Sequence, residues 1–449
     1  MTKAINRRAF VGTAGLLAGA VSAPALATGA AKAGERAFVR RDGMRLMIDD
    51  DVYRFAGANI WYAAYLGADA PYGDRARLGR ELDALAAMGV TNLRILASAE
   101  EGPLRNSIKP GFRTATTINQ TLLAGLDYAL AEMAKRDMRA VLYLTNFWEW
   151  SGGMMTYLSY VNGGTFINAN DPEHPWPAFA NFNAQFYGNA RAKLMYDDWI
   201  RTVVSRTNSV TGKPYAADPT IMAWQLSNEP RPAGDAAHAH LDQFYGWVRD
   251  SAKLIKSLDG NHLVCTGSEG LKGALEQPEI VLAEHGIPEI DYLTAHIWPN
   301  NWDWVKQTDL ANTYKRGETL TQDYIAKHVG YARQLNKPLI FEEFGYPRDG
   351  GSNDPKVATT FKDRFYGLIY AAALRDMQQG GPVAGTNFWA WNGEARAQHP
   401  DYRFRDGDGQ YMGDPPHEPQ GWYGIFTGDT TVRLVAEHAR AIARLPKTR

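Results

Sequence analysis

Trp224-Gln225-Leu226-Ser227-Asn228-Glu229-Pro230-Arg231 and Pro338-Leu339-Ile340-Phe341-Glu342-Glu343-Phe344-Gly345 are two apolar runs that each end abruptly in a carboxylate. Such a run reads as a parallel strand buried on both faces, with the carboxylate where the strand emerges. Working outward, eight runs of this kind follow one another, at 53–59, 92–97, 140–145, 221–226, 262–265, 292–297, 338–341 and 386–389. Amphipathic helical patterns separate or follow them at 74–88, 118–136, 189–206, 236–258, 322–335, 357–377 and 432–444, with a weak one near 278–285. Eight β–α units in series predict an α/β fold, a closed (β/α)8 TIM barrel. The helix-to-strand turns are tight, as at Met88-Gly89-Val90 and Asn336-Lys337. The strand-to-helix loops at 145–188, 298–321 and 392–431 are long and rich in Gly, Pro, Asn and Trp. Long loops on one face mark the C-terminal ends of barrel strands, where functional residues gather. Glu229, His296 and Glu343 all fall on that face.

Composition narrows the function classes. The chain has 449 residues, 45% of them hydrophobic, and a formal net charge of -1, without the basic footprint of a nucleic-acid binder. Its single cysteine, Cys265, rules out an internal disulfide and a cysteine-rich metal site; its apolar neighbours predict a buried thiol. No Walker or dinucleotide pattern is present, Asp406-Gly407-Asp408-Gly409 lacks the EF-hand spacing, and His238 and His240 lack a third ligand. No cofactor and no metal are expected. The N-terminus carries a twin-arginine pattern, Asn6-Arg7-Arg8-Ala9-Phe10-Val11, then an apolar stretch too short to span a membrane and a small-residue site at Ala25-Leu26-Ala27. Residues 1–27 therefore read as an export signal, 28–37 as a linker and 38–449 as one catalytic barrel, a monomer working in the periplasm or outside the cell.

Two carboxylates on the strand ends of one barrel are the minimum equipment for cleaving a glycosidic bond. Pro230 stops its strand, Asn228 can bond a sugar hydroxyl, and Arg231 adds a fixed charge. Strict alternation allows only one of Glu342 and Glu343 to face the barrel axis, leaving the other to pair with a cation or cap a loop. Trp61, Trp148, Trp150, Trp302 and Trp304 stand in the loops, where they are either loop core or sugar-binding surfaces.

Five motifs carry a resemblance: Leu93-Arg94-Ile95-Leu96, Ala223-Trp224-Gln225-Leu226-Ser227-Asn228-Glu229-Pro230-Arg231, Thr294-Ala295-His296-Ile297-Trp298-Pro299, Phe341-Glu342-Glu343-Phe344-Gly345 and Asn387-Phe388-Trp389-Ala390-Trp391. In this order, at strands two, four, six, seven and eight, they make the chain resemble family 5 glycoside hydrolases, most of all the β-mannanase-like branch. The resemblance implies Glu229 as acid/base and Glu343 as nucleophile. It implies Arg94 holding the nucleophile ionised, Asn228 on the sugar 2-hydroxyl, His296 orienting the acid/base, and Trp389 as sugar platform with Trp391 sharing its face. Glu229 is expected to have a raised pKa, chiefly from the nearby charge of Glu343. One departure stands out: many members carry Tyr where this chain has Trp298, which leaves positioning of the nucleophile to Trp298 or to another hydroxyl such as that of Tyr346. The implied activity is a retaining endo-β-1,4-mannanase, against an exo-acting β-mannosidase, a β-1,4-glucanase or a non-catalytic carbohydrate-binding barrel.

Overall fold

The eight apolar runs form eight parallel strands: β1 (Phe55–Asn59), β2 (Asn92–Leu96), β3 (Arg139–Tyr143), β4 (Ile221–Gln225), β5 (Leu263–Cys265), β6 (Leu293–Ile297), β7 (Leu339–Phe344) and β8 (Val383–Phe388). Every residue in them is buried, as expected of strands covered on both faces. The computed structural model describes residues 36–447; the predicted export signal and most of the linker lie outside the described residues. The strands pair in the order β5-β4-β3-β2-β1-β8-β7-β6. The β5–β6 seam lacks a regular ladder and is stitched instead by Asp291 N to Val264 O (2.7 Å), His296 N to Glu269 O (3.1 Å) and Thr294 Oγ1 to Ser268 O (2.7 Å). The result is the expected (β/α)8 TIM barrel.

Eight outer helices follow the strands: α1 (Arg75–Ala87), α2 (Gln120–Ala134), α3 (Ala190–Val204), α4 (Leu241–Leu258), α5 (Pro278–Gly286), α6 (Leu310–Leu335), α7 (Thr360–Gln378) and α8 (Thr431–Ala443). Side-chain caps start several of them: Asp74, Asn119 and Asn189 accept from Arg77 N, Leu122 N and Ala192 N. α6 begins 12 residues before the predicted 322, so the loop after β6 is shorter than expected. Its buried face runs through Leu310, Tyr314, Gly317 and Thr321, and Gly317 lies so close to Val305 that a Cβ would fall 2.3 Å from Val305 Cγ1. A stripe built on Gly and Thr does not read as apolar.

The run at 53–59 also divides in two. Asp51–Tyr53 joins Val39–Asp42 and Arg45–Ile48 in a small antiparallel sheet, and only Phe55–Asn59 enters the barrel. Val39 and Leu46 of this sheet share an apolar cluster with Phe55, Val141, Met222, Leu263, Cys265 and Tyr292, with Tyr53 packed against it. Cys265 is buried and free, as expected. No helix among the described residues is long and apolar enough to cross a membrane.

Candidate active site

Past the end of β4 the chain continues between its neighbours. Leu226 N and Ser227 N donate to Cys265 O and Thr266 O, Asn228 N to Thr145 O, and Glu229 N to Gly267 O. Gly267 is required there: its φ is +77°, and a Cβ would stand 1.9 Å from Ser227 O. At Glu229 the backbone turns into the left-handed region, φ 47°, a conformation costing about 1–3 kcal/mol that clusters at functional sites.

β7 reaches the same mouth through a bulge. Phe341 pairs with Ala295 but Glu343 with His296, so Glu342 is the extra residue. This corrects the expectation that alternation turns only one of the two carboxylates inward. Glu342 is buried in the interior, where Oε2 accepts from Gln225 Nε2 at 2.5 Å and lies 3.7 Å from Arg94 Nε. Its carbonyl accepts from Asn59 Nδ2 at 2.8 Å.

Arg94 ties the two strand ends together. Fully buried, it donates to Gln225 Oε1 (2.7 Å), Asn59 Oδ1 (3.0 Å) and Asn228 Oδ1 (2.7 Å), and to Glu343 Oε1. With every branch of its guanidinium engaged, Arg94 does not line the cleft; it positions residues that do. Arg94→Met should leave Glu343 and Glu342 without their cation, destabilising the fold by about 3–5 kcal/mol. Calorimetric unfolding measures this, and an unchanged Tm would contradict it.

His296 Nδ1 lies 2.6 Å from Glu229 Oε1 and 3.3 Å from Glu343 Oε2. Trp148 Nε1 donates to Glu229 Oε2 at 2.6 Å. Ligand-type atoms of Glu229, His296 and Glu343 all lie within 4.8 Å of one another. That spacing could bracket an ion, but Arg94 already supplies the cation on Glu343. Burial pushes the Glu229 carboxyl up, yet its hydrogen bond to His296, the charges of His296 and Arg231, and the Trp148 donor together bring it below the usual range. Burial disfavours a charged His296, but Glu343 and the bonds to Glu229, Glu342 and Glu343 outweigh it and raise its pKa. The expectation of a raised Glu229 pKa is therefore corrected. Arg94 offsets the charge of Glu343, and the imidazole between the carboxylates holds the proton.

The cleft above this pair has a volume of about 840 Å³, at the upper end of the range for small-molecule sites. Of the predicted residues, Asn228, Glu229, Arg231, Trp298, Glu343 and Trp389 line it, with Trp148, Trp150 and Trp302. Trp298 stands edge-on to Trp389 (centroids 6.2 Å, 78°) and packs on Tyr423. The Tyr346 hydroxyl has no partner and its ring packs on Phe365 and Tyr314, so it does not substitute for the missing tyrosine. His296 takes that place on Glu343 Oε2.

Two predicted site residues stand elsewhere. Trp61 is buried, donates to Gly413 O at 3.0 Å and packs on Tyr65, Trp150 and Tyr411. Trp391 is buried beside α1, its Nε1 bonded to Glu81 Oε2 at 2.5 Å. Both are core, because each indole N–H already has a partner inside the protein. Trp304 is also buried, against Trp302.

Sequence reading missed Glu269, which follows β5. It is buried, bonded by Arg231 Nη2 and by Trp302 Nε1 at 3.0 Å, and burial pushes its pKa to about 7. It also missed Trp176, 56% exposed on the insertion after β3, stacked on Trp148 with the Arg231 guanidinium 5.7 Å from its ring. Glu269 sits in a Gly- and Ser-rich segment with no strand-end signal, and nothing in the insertion's pattern marks one Trp over another.

A family model described as GH family 5 beta-mannosidase-like matches residues 36–447. The chain belongs to glycoside hydrolase family 5. Its relatives within family 5 include a mannosidase from Rhizomucor miehei, solved with mannosyl-fructose: 32% identical, TM-score 0.83, covering 91% of this chain and 97% of that one. Mannan endo-1,4-beta-mannosidase 1 of Oryza sativa subsp. japonica is 29% identical over 368 residues, 78% of each chain. An endo-1,4-beta-mannanase from Rhizomucor miehei, at 22% identity and TM-score 0.66 over 91% of this chain, shares the fold. As a family 5 member, this protein is a glycoside hydrolase.

Proposed function

We propose that the protein is a retaining β-1,4-mannanase that cleaves mannan-type polysaccharides internally by double displacement. The observation that carries the mechanism is the approach of the two carboxylates, with oxygens of Glu229 and Glu343 within 4.8 Å. Retaining glycosidases hold their carboxyls about 5–5.5 Å apart, whereas inverting ones need about 6.5–9.5 Å for an intervening water. Glu343, held by Arg94, attacks the anomeric carbon. Glu229 protonates the leaving oxygen, receiving its proton across the short bond from His296. Water then enters, Glu229 takes its proton, and the glycosyl–Glu343 ester is hydrolysed. Asn228, oriented by Arg94 and by its own bond to Asn146 Oδ1 at 3.0 Å, serves the 2-hydroxyl. Trp389 is the platform beneath the reacting sugar. The choice of mannose rests on the relatives named above.

A second reading, exo-acting β-mannosidase, is favoured by one observation: Trp150, His417 and Glu418 line the same cleft as Trp389, with Trp150 packed edge-on to Trp389 and His417 stacked on Trp150. Incubation with mannan, mannohexaose and an aryl β-mannoside separates the two. A ladder of oligosaccharides is the expected result; mannose alone establishes exo action, and no product from any of the three overturns both. Export through residues 1–27 belongs to the same proposal, and finding the chain in the cytoplasmic fraction of its host would refute it.

A further inference from the structure

Three polar groups in the cleft have nothing in the protein to bond. Glu149 Oε2, His417 Nδ1 and Glu418 Oε2 are buried without a hydrogen-bond partner, and all three residues line the cleft. Glu149 and Glu418 are 3% and 9% exposed. They come from loops distant in sequence: Glu149 starts the turn Glu149–Ser151 after β3, and His417-Glu418 lie in the long loop after β8. Trp150 joins the two, edge-on to Trp389 at 6.2 Å and parallel to the His417 ring at 6.4 Å.

A carboxylate used for structure looks different in this same loop. Asp414 accepts on Oδ1 from Tyr423 N (2.7 Å) and Gly424 N (3.0 Å), and on Oδ2 from Asn392 Nδ2 and Gly421 N (both 2.9 Å). Glu81 likewise bonds Arg77, Trp391 and Glu394 N. Buried polar groups are almost always bonded, so those left open in a cleft await a ligand's groups. Burial pushes Glu149 to about 7 and raises Glu418 well above the carboxylate range. The charged groups facing Glu418 are Asp414, Glu343, Glu229 and Glu149, all of which raise it further. Burial also keeps His417 neutral, with a pKa near 3. A neutral carboxyl both donates and accepts, which suits a sugar hydroxyl.

The side of the reacting bond follows from what surrounds each carboxylate. Trp148 bonds the acid/base, and Arg231, Trp302 and Glu269 form a connected group on its side, that of the leaving group. Trp150 instead packs on Trp389 and carries the His417 ring stacked on it. We propose that Glu149, His417 and Glu418 form a hydroxyl clasp for the mannosyl unit resting on Trp389, and so set the strength of binding on the non-leaving side of the bond. The inference rests on the mannan-cleaving reading.

The test is steady-state kinetics of Glu149→Ala, Glu418→Ala, Glu149→Gln and Glu418→Gln on mannohexaose and mannan. Each alanine variant should raise KM about five- to tenfold, the worth of one hydrogen bond, with a smaller change in kcat. Each glutamine variant, isosteric and able to donate and accept, should recover most of the loss. Wild-type KM should rise above about pH 7 as Glu149 ionises, with Glu269 on the leaving-group side titrating in the same range, and Glu149→Gln should reduce that rise. Should the alanine variants not fold, the glutamine variant and its pH profile decide alone. Wild-type turnover with KM unmoved in the alanine variants, or an alkaline rise undiminished in Glu149→Gln, overturns the clasp only. No wild-type turnover of mannohexaose or mannan overturns the mannan-cleaving reading and the clasp with it.

Discussion

Glu343→Gly is expected to lower turnover of an aryl β-mannoside by roughly four to six orders of magnitude, the scale seen when a catalytic nucleophile is removed. The loss should be chemical more than structural. Glu343 Oε1 is held by Arg94, which keeps three further partners in Asn59, Gln225 and Asn228. Glu342 remains 3.7 Å from the same guanidinium to balance its charge. Removing the side chain also opens a space on the attacking face of the sugar. Azide should occupy it, displace an activated leaving group and give the α-mannosyl azide, inverted relative to substrate. A β-mannosyl azide would show that Glu343 is not the nucleophile.

Glu229→Ala is expected to separate substrates by leaving group. General acid catalysis contributes about 10²–10⁴-fold, and a phenolate with a low pKa leaves without that help whereas a sugar alkoxide does not. Hydrolysis of mannan should therefore fall by roughly that factor, while the first step with a dinitrophenyl β-mannoside stays close to wild type. The second step still needs Glu229 as base, so the glycosyl-enzyme should accumulate and a burst should precede slow turnover. Azide should relieve it, here giving the β-mannosyl azide. Equal losses on both substrates, measured by kcat/KM, would remove Glu229 from the role. In this variant His296 Nδ1 loses its 2.6 Å partner and keeps Glu343 Oε2 at 3.3 Å.

The barrel was legible because parallel strands buried on both faces leave an unmistakable trace. Val141, Leu142, Ala223, Trp224, Ile340 and Phe341 need no partner pattern to be recognised as strand. The same trace misled at 53–59, where the N-terminal sheet and β1 abut across Arg54 and read as one run. α6 lost its first 12 residues because Gly317 and Thr321 stand where an apolar stripe was sought. Within the site, Glu229, Glu343 and Arg94 lie on strands or at their ends and could be placed by counting. Trp61 and Trp391 could not: two tryptophans two positions apart, Trp389 and Trp391, differ only in that Glu81 of α1 awaits the second. The inward turn of Glu342 depends on a bulge, which sequence alternation cannot express. The clasp residues and Glu269 come from loops, and only the folded barrel brings Glu149 beside His417-Glu418 or Glu269 beneath Arg231.

One geometric fact underlies the whole account, the close approach of the Glu229 and Glu343 carboxylates to within 4.8 Å. That approach matches the separation of retaining glycosidases, and the proposed covalent route rests on it. Proton NMR of the anomeric signals during the first minutes of hydrolysis of an aryl β-mannoside or mannohexaose tests this most directly. The account predicts that the β-anomer of the new reducing end appears first and only later mutarotates to α; initial release of the α-anomer would contradict it.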